Sequence, residues 1–371
     1  MLENEPIRVA HVIGMAVDGG TEAFVMNYYK YIDKTKIQFD FFVESTSKII
    51  NRELIEKLGG KIIIIPSYKN IFRYIKTLTQ LFKDGNYSIV HSHMNSLSVF
   101  TLLAAKRARV KVRIAHSHST SNKSVEKKKN LIKNLLRPFS KIYATHYFAC
   151  SELSGRWLFG NKTFNNGNVK IINNAIEINK FSFDQIKRDI IRDKFNINDK
   201  FVIGHVGRFV EQKNHKFLLD LFYEYQKINE KAILLLIGDG PLKDEIYNRV
   251  ENYEIKDKVI FIGTQEDISM YYNAMDCFIF PSLYEGLGIV VLEAQINGLY
   301  CLVSSSVPKS TKLNDNIEYI EGYKIINWLK KIEYKQRSIS NKNYFTFNIK
   351  NQAPILANIY KGSGNKNEKD C

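Results

Sequence analysis

Two carboxylates, Glu285 and Glu293, flank a glycine-bearing run that reads Pro281-Ser282-Leu283-Tyr284-Glu285-Gly286-Leu287-Gly288-Ile289-Val290-Val291-Leu292-Glu293. A strand is predicted over Cys277–Phe280 and a helix from about Gly288, which leaves Glu285 in the loop between them. Glu293 then lies two helical turns further on, roughly 12 Å along the axis. That is too far for one acid/base pair, but it suits the two ends of an extended ligand. The amides of Gly286, Leu287, Gly288 and Ile289 would meet a phosphate at the helix N-terminus. The alternative makes Glu285 a simple helix-terminal charge and Glu293 a surface residue.

Cations stand at a second strand end. The strand predicted over Phe201–Val206 runs into Gly207-Arg208-Phe209-Val210-Glu211-Gln212-Lys213-Asn214. Arg208 offers a planar fork and Lys213 a point charge, which together can clamp a diphosphate. Near the start, Gly14-Met15-Ala16-Val17-Asp18-Gly19-Gly20-Thr21-Glu22 follows a strand and precedes a helix; paired glycines there let a ligand approach the backbone. Two further motifs, His91-Ser92-His93 and His116-Ser117-His118, each end a strand. Residues i and i+2 share a strand face, so either pair could ligate a metal. No carboxylate or cysteine lies near either pair in sequence, and no metal is expected.

These residues need a scaffold of strands whose carboxyl ends cluster. Apolar runs at Ile7–Ile13, Phe39–Val43, Lys61–Pro66, Ile89–His93 and Val112–Ala115 read as strands, and Thr21–Ile32, Asn51–Leu58, Ile71–Phe82 and Leu97–Ala108 as helices. The rhythm restarts with strands at Phe201–Val206, Ala232–Ile237, Val259–Ile262, Cys277–Phe280 and Tyr300–Ser304. Helices are predicted at His215–Ile228, Leu242–Glu251, Ile268–Asn273 and Ile289–Asn297. Alternation of this kind predicts an α/β protein with two doubly wound parallel sheets. The expected division is a first domain over 1–175 and a second over 176–345, with the linker near Ile176–Phe181. A terminal helix over 346–361 is placed to pack back on the first domain, and 362–371 is expected to be a disordered tail.

Composition narrows the class. A chain of 371 residues with 44% hydrophobic residues exceeds one ordinary core and is not disordered. The four cysteines, Cys150, Cys277, Cys301 and Cys371, are scattered, which fits a reducing compartment. The charged start and the lack of an apolar run near the roughly 20 residues of a membrane span predict a cytoplasmic or peripheral protein. Residues 1–180 carry 28 Lys and Arg against 13 Asp and Glu, whereas 181–371 carry 26 against 25. A basic half suits nucleic acid, an anionic membrane or an acidic substrate. Nucleic acid is not expected, because no aromatic-basic interleaving or binding module is found.

The E-x7-E pair inside its Pro-Ser-x-x-Glu-Gly-x-Gly frame resembles the signature of the retaining GT-B glycosyltransferases of family 4. The resemblance extends over residues 6–310 and takes in Gly19-Gly20, Ile172-Asn173-Asn174-Ala175-Ile176, Val206-Gly207-Arg208 with Lys213, Ile237-Gly238-Asp239-Gly240-Pro241 and Ala274-Met275-Asp276. It implies two Rossmann-like domains facing across a cleft. Arg208 and Lys213 would bind the donor diphosphate, Glu285 with the amides of Gly286 to Gly288 the donor sugar, and Glu293 the ribose hydroxyls. Gly19 and Gly20 would line the cleft, and Asp239, Gly263 and Gln265 would lie near the base. A histidine after the fourth or fifth strand reaches the donor sugar in this family; His116 fits that place better than His118, and the repeat leaves both open. The family is metal-independent and needs no cofactor; its substrate is a nucleotide diphosphate sugar, here expected to be a UDP-sugar.

Ile114-Ala115-His116-Ser117-His118 and Ser305-Ser306-Val307-Pro308-Lys309 resemble the subgroup of exopolysaccharide, capsule and O-antigen assembly. That implies transfer of a hexose or N-acetylhexosamine to a lipid-linked glycan at the inner face of the cell membrane. From Lys106 to Lys141 there are twelve Lys or Arg and one acid, Glu126, and Leu131–Phe139 reads as an amphipathic surface helix. Docking on an anionic membrane is the expectation. The rival readings are a GT-B-like UDP-sugar epimerase and a basic nucleic-acid-binding protein.

Overall fold

The computed structural model describes residues 5–15, 20–47, 52–118, 134–265, 267–338 and 344–364. The chain divides into two compact units, Met1–Ile176 with Phe345–Cys371, and Glu177–Tyr344.

The first unit holds a parallel sheet of seven strands in the order β3-β2-β1-β4-β5-β6-β7. They are β1 (Ile7–Gly14), β2 (Ile37–Glu44), β3 (Lys61–Ile65), β4 (Ile89–Ser92), β5 (Val112–Ser117), β6 (His146–Ala149) and β7 (Val169–Ile171). The order reverses between β1 and β4, which is where doubly wound sheets leave a crevice at their carboxyl ends. One sheet face packs Val9, Phe39, Ile89, Ile114 and Phe148 against Phe24, Val25 and Tyr28 of the helix Gly20–Tyr31, and against Ile349, Ala353, Leu356 and Tyr360 of the helix Ile349–Gly364. The other face packs Ala10, Val12, Phe42, Val90 and Ala115 against the helices Ile71–Asp84 and Ser98–Arg107. Both faces are covered, so β2 is buried at all eight positions, its polar Gln38, Asp40 and Glu44 included. The returning chain is tied to the exit of the first segment by Ile176 N donating to Phe347 O (2.8 Å) and Ile349 N to Ile176 O (3.0 Å).

The second unit repeats the plan with six parallel strands in the order β10-β9-β8-β11-β12-β13. These are β8 (Phe201–Val206), β9 (Ala232–Ile237), β10 (Val259–Gly263), β11 (Cys277–Phe280), β12 (Tyr300–Ser304) and β13 (Ile317–Ile320). Because β8 and β11 are neighbours, the loops that follow them emerge side by side.

Ten strands stand where periodicity places them. The strands β6, β7 and β13 were not expected. Each has three or four residues at or near a sheet edge, too few to show an alternation against flanking polar sequence. Among the described residues no helix is long and apolar enough to cross a membrane.

Candidate functional site

In the second unit the loop after β8 is stitched to the loop after β11. Leu283 N donates to Gln212 O (2.8 Å), Gln212 Nε2 to Tyr284 O (2.8 Å) and Asn214 Nδ2 to Pro281 O (3.3 Å). Inside this seam Lys213 Nζ donates to Glu285 Oε1 at 2.6 Å, with 17% and 8% of the two side chains exposed. The ammonium also lies over the Phe280 ring, 4.7 Å from its centroid. Lys213 and Glu285, assigned separate tasks from sequence, are therefore one buried charge pair. Arg208 differs: it is exposed, and its guanidinium makes no hydrogen bond or ion pair among the described residues. Of the two cations after β8, Lys213 is held in a charge pair and Arg208 is exposed.

The loop after β11 ends at Gly288, whose φ of +85° lies in the left-handed region and which caps the helix Ile289–Ile296. Gly286 and Leu287 are buried in the turn and Ile289 is half-buried. On that helix Glu293 is buried rather than a surface residue, and Tyr272 donates its hydroxyl to Glu293 Oε2 at 2.7 Å. Burial pushes the Glu293 carboxyl up to about 7, against the opposing pull of the Tyr272 hydrogen bond. Sequence patterning offered no sign of Tyr272 as its partner.

A third strand end joins the group. Phe209 N donates to Asp239 O (2.9 Å), Leu242 N to Phe209 O (3.1 Å) and Gly238 N to Gly263 O (3.0 Å). Asp239 pairs with Lys243 Nζ at 3.3 Å on the surface. Gln265 donates to Ile262 O at 3.1 Å, and Gly263 has φ +75° with open space where a side chain would stand. Arg208, Lys213, Asp239, Gly263, Gln265 and Glu285 thus all occupy the carboxyl-terminal edge of the second sheet. Gly20 opens the helix Gly20–Tyr31 of the first unit, and Gly19 lies outside the described residues.

The first unit adds a feature that the sequence showed only in part. His91 and His116 lie in β4 and β5, and His93 and His118 follow directly after those strands. With β1, β4 and β5 adjacent, their side chains meet a fifth histidine, His11 of β1. One row runs His118 Nε2···His93 Nδ1 (2.7 Å) and His93 Nε2···His11 Nδ1 (2.9 Å). A second runs His116 Nδ1···His91 Nε2 (3.0 Å) and His91 Nδ1···Tyr360 Oη (2.7 Å). Burial lowers the pKa of His11 and of His118 to about 3 and of the other three well below the ordinary range, so all five rings are neutral at pH 7. His11 was missed, although a histidine inside the apolar run Val9-Ala10-His11-Val12 breaks the pattern visibly.

Two trios, His11 with His91 and His93, and His93 with His116 and His118, bring ring nitrogens within 4.8 Å of one another, as a metal centre would. Each trio, however, contains a stacked pair. His91 and His93 rings lie 4.2 Å apart at 28°, and His116 and His118 lie 3.9 Å apart at 27°. Imidazole lone pairs point in the ring plane, so face-stacked rings cannot both aim at one ion about 2.0–2.1 Å away. As arranged, the cluster is a hydrogen-bonded network.

Known proteins share this architecture. A family model described as Glycosyl transferases group 1 matches residues 187–332, and one described as Glycosyltransferase Family 4 matches residues 18–180. The putative glycosyltransferase EpsF of Bacillus subtilis is 37% identical over 305 residues, 81% of this chain and 79% of that protein. The UDP-Gal:alpha-D-GlcNAc-diphosphoundecaprenol alpha-1,3-galactosyltransferase of Escherichia coli is 22% identical over 95% of this chain and 96% of its own length. Among solved structures, a glycosyltransferase from Rickettsia africae superposes with a TM-score of 0.74 at 18% identity, covering 98% of this chain and all of that one. Anabaena Alr3699/HepE in complex with UDP and glucose gives 0.72 at 16% identity, covering 95% of each. These structures share the fold. With its two halves matched in order by the two models and most of its length by EpsF, the chain belongs to the family 4 glycosyltransferases and has their GT-B fold.

Proposed function

We propose that this enzyme transfers a hexose or N-acetylhexosamine, with retention, from a nucleotide diphosphate sugar, a UDP-sugar first, to a lipid-linked surface-polysaccharide acceptor. The observation that carries the reading is the charge-paired seam Lys213–Glu285, set at the carboxyl ends of β8 and β11 beside the Gly288 helix cap. Lys213, held by Glu285, and the exposed Arg208 supply positive charge where the leaving diphosphate becomes more negative, so the barrier falls by electrostatic preorganisation without a metal or other cofactor. Glu285 orients the sugar and Lys213; it is not assigned as a nucleophile. Glu293 takes the ribose hydroxyls, and Asp239, Gly263 and Gln265 lie on the side of the base. The relatives' names support the acceptor class. The Escherichia coli protein is named for an undecaprenol-linked acceptor, and a 25% identical Staphylococcus aureus protein, CapH, for capsular polysaccharide biosynthesis.

A cytoplasmic site of action at an anionic membrane surface completes the proposal. Of the basic stretch Lys106–Lys141, residues 119–133 lie outside the described residues, and with them the first three residues of the expected helix Leu131–Phe139; residues 134–136 are helical and Arg137–Lys141 is a short 3-10 helix. Just after them Leu135, Phe139 and Ile142 are exposed beside Arg137 and Lys141.

The test is nucleotide release from a panel of UDP-, GDP- and dTDP-sugars. At least one donor should be turned over, and Lys213→Ala and Arg208→Ala should each lower turnover at least ~10-fold, the factor that corresponds to about 1.4 kcal/mol. Near-wild-type turnover in both variants overturns the clamp. A new nucleotide sugar formed without acceptor would identify an epimerase instead.

A further inference from the structure

The stretch after β13 passes the carboxyl ends of the two helices that carry Tyr272 and Glu293. It is fastened there by Ser338 N donating to Gly298 O (3.0 Å) and Asn316 Nδ2 to Gln336 O (3.3 Å). Gly298, at φ +83°, leaves room for it: a Cβ there would come within 3.1 Å of Arg337 Cβ and 3.3 Å of the Ser338 backbone. Arg337 is thereby aimed at a joint. Its Nη1 donates to the carbonyl of Asn297 (3.1 Å) and to the Asn297 side-chain oxygen, at the end of the helix Ile289–Ile296. Its Nη2 is shared among the carbonyls of Tyr272 (3.3 Å), Asn273 (2.9 Å) and Met275 (2.6 Å), at the end of the helix Ser269–Ala274.

Electrostatics favours a cation at this place. Asp276 is already paired with Arg188 (2.6 Å) and Arg192 (3.2 Å), and Arg337 makes no ion pair among the described residues. Its charge is answered instead by the negative ends of two helix dipoles, each equivalent to roughly half an elementary charge, whose last carbonyls need donors. Burial lowers its pKa to about 9, with Arg188 pushing the same way, so it is still charged at pH 7. Arg188 and Arg192 also donate to the carbonyls of residues 273–275, but among the described residues neither reaches the helix Ile289–Ile296. The planar fork of Arg337 spans both ends. Asn297 Nδ2 closes the joint from the side by donating to Asn273 Oδ1 (3.1 Å) and Phe181 O (2.9 Å), with both asparagines fully buried. Tyr272 supplies one of the joined carbonyls, and Asn297 N donates to Glu293 O (3.0 Å), one helical turn back. The contact of Tyr272 Oη with Glu293 Oε2 (2.7 Å) therefore stands within a turn of the joint on each side.

We propose that Arg337 is a positioning residue for nucleotide binding: by joining the carboxyl ends of the helices Ser269–Ala274 and Ile289–Ile296, it holds Tyr272 against Glu293 and so fixes where the Glu293 carboxyl group is presented. That this group meets a ribose rests on the glycosyl-transfer reading; the joint does not.

Two measurements on the full chain test it: the 13C carboxyl titration of Glu293 without nucleotide, with Glu293→Gln for assignment, and the Kd of UDP above about pH 7. The Tyr272 hydroxyl favours the carboxylate, so loosening that bond moves the Glu293 midpoint upward from about 7. Lys180 and Asp267, the other charged groups acting on Glu293, stay in place in every variant. Arg337→Lys keeps the charge but cannot span both ends; it should raise the midpoint, as Tyr272→Phe should, and the double variant should rise no further. UDP should bind ~5-fold more weakly to Arg337→Lys, the strength of about one hydrogen bond. That weakening should vanish where Glu293→Gln is already present. A wild-type midpoint in Arg337→Lys, or UDP losses that add in full, overturns the proposal and leaves Arg337 a support of the fold only. If Arg337→Lys does not fold, Asn297→Ser, which withdraws the side-chain oxygen that Arg337 reaches, takes its place with the same expected shift and the same overturning result. A Glu293→Gln variant that binds UDP as tightly as the wild type would instead sink the ribose assignment, while the nucleotide-free titration still decides the joint.

Discussion

Glu293 ties stability to pH in a way that a solvent-facing carboxylate would not. Its pKa in the fold is raised from the ordinary 4.5 to about 7, so the folded protein holds a proton that the unfolded chain has released. The stability this proton gives is complete below about pH 4.5 and is lost as the pH rises through about 7. At 1.36 kcal/mol per pKa unit the loss is roughly 3 kcal/mol. Glu293→Gln cannot ionise and should escape it. Thermal melts of the two proteins should therefore diverge between pH 4.5 and 7, the variant gaining on the wild type, while nucleotide affinity of the wild type rises over the same interval as a carboxylate becomes available to ribose. A melting difference that stays constant from pH 5 to 8 would refute the assignment. At this scale the sequence was half legible. Spacing picked out Glu285, Glu293, Arg208 and Lys213, because loops after strands advertise themselves. It could not show that Lys213 and Glu285 face each other, or that Tyr272 and Tyr360 each complete a polar group, since those partners are 72, 21 and 269 residues away.

Loops that must touch backbone to backbone depend on the absence of a side chain. Gly238, at φ +138°, sits so close to the loop after β8 that a Cβ would come within 2.2 Å of Gly207 O, and one on Gly240 within 2.5 Å of Phe209 O. Neither obstacle is the end of a flexible side chain. The Gly238-Asp239-Gly240 motif, recognised from sequence only as part of a resemblance, is therefore what lets the strand ends of β8 and β9 lie flush. Gly238→Ala should cost about 2 kcal/mol or more in a denaturant melt and weaken nucleotide binding by displacing the Arg208 loop. A variant with wild-type stability and affinity would show that the contact is not required. Regular elements were readable for the same physical reason that these contacts were not. Periodicity reports which face of a strand or helix is buried, whereas the close approach of two turns leaves no period behind.

For the molecule as a whole, the uneven charge makes a prediction the donor site does not. If the basic, apolar-tipped stretch of the first unit meets membrane, the protein should co-sediment with vesicles containing anionic lipid, and binding should fall at high salt, each basic residue near the surface contributing roughly 1 kcal/mol. Changing Lys127, Lys128, Lys129 and Lys133 to Glu should abolish it; equal sedimentation with neutral and anionic vesicles, or none with either, would end the idea. A last consequence concerns time rather than energy. The first unit is built from two stretches of chain separated by the whole of Glu177–Tyr344. At about 5–20 residues per second, a ribosome needs roughly 10–30 s to cross that interval. Throughout it, the part of that sheet face destined for Ile349, Ala353, Leu356 and Tyr360 lacks its helix, with only the helix Gly20–Tyr31 to share the cover. The second unit, continuous in sequence, is free to fold meanwhile. The part of the enzyme made first is thus finished last, and its waiting apolar face is the surface a chaperone would meet on the nascent chain.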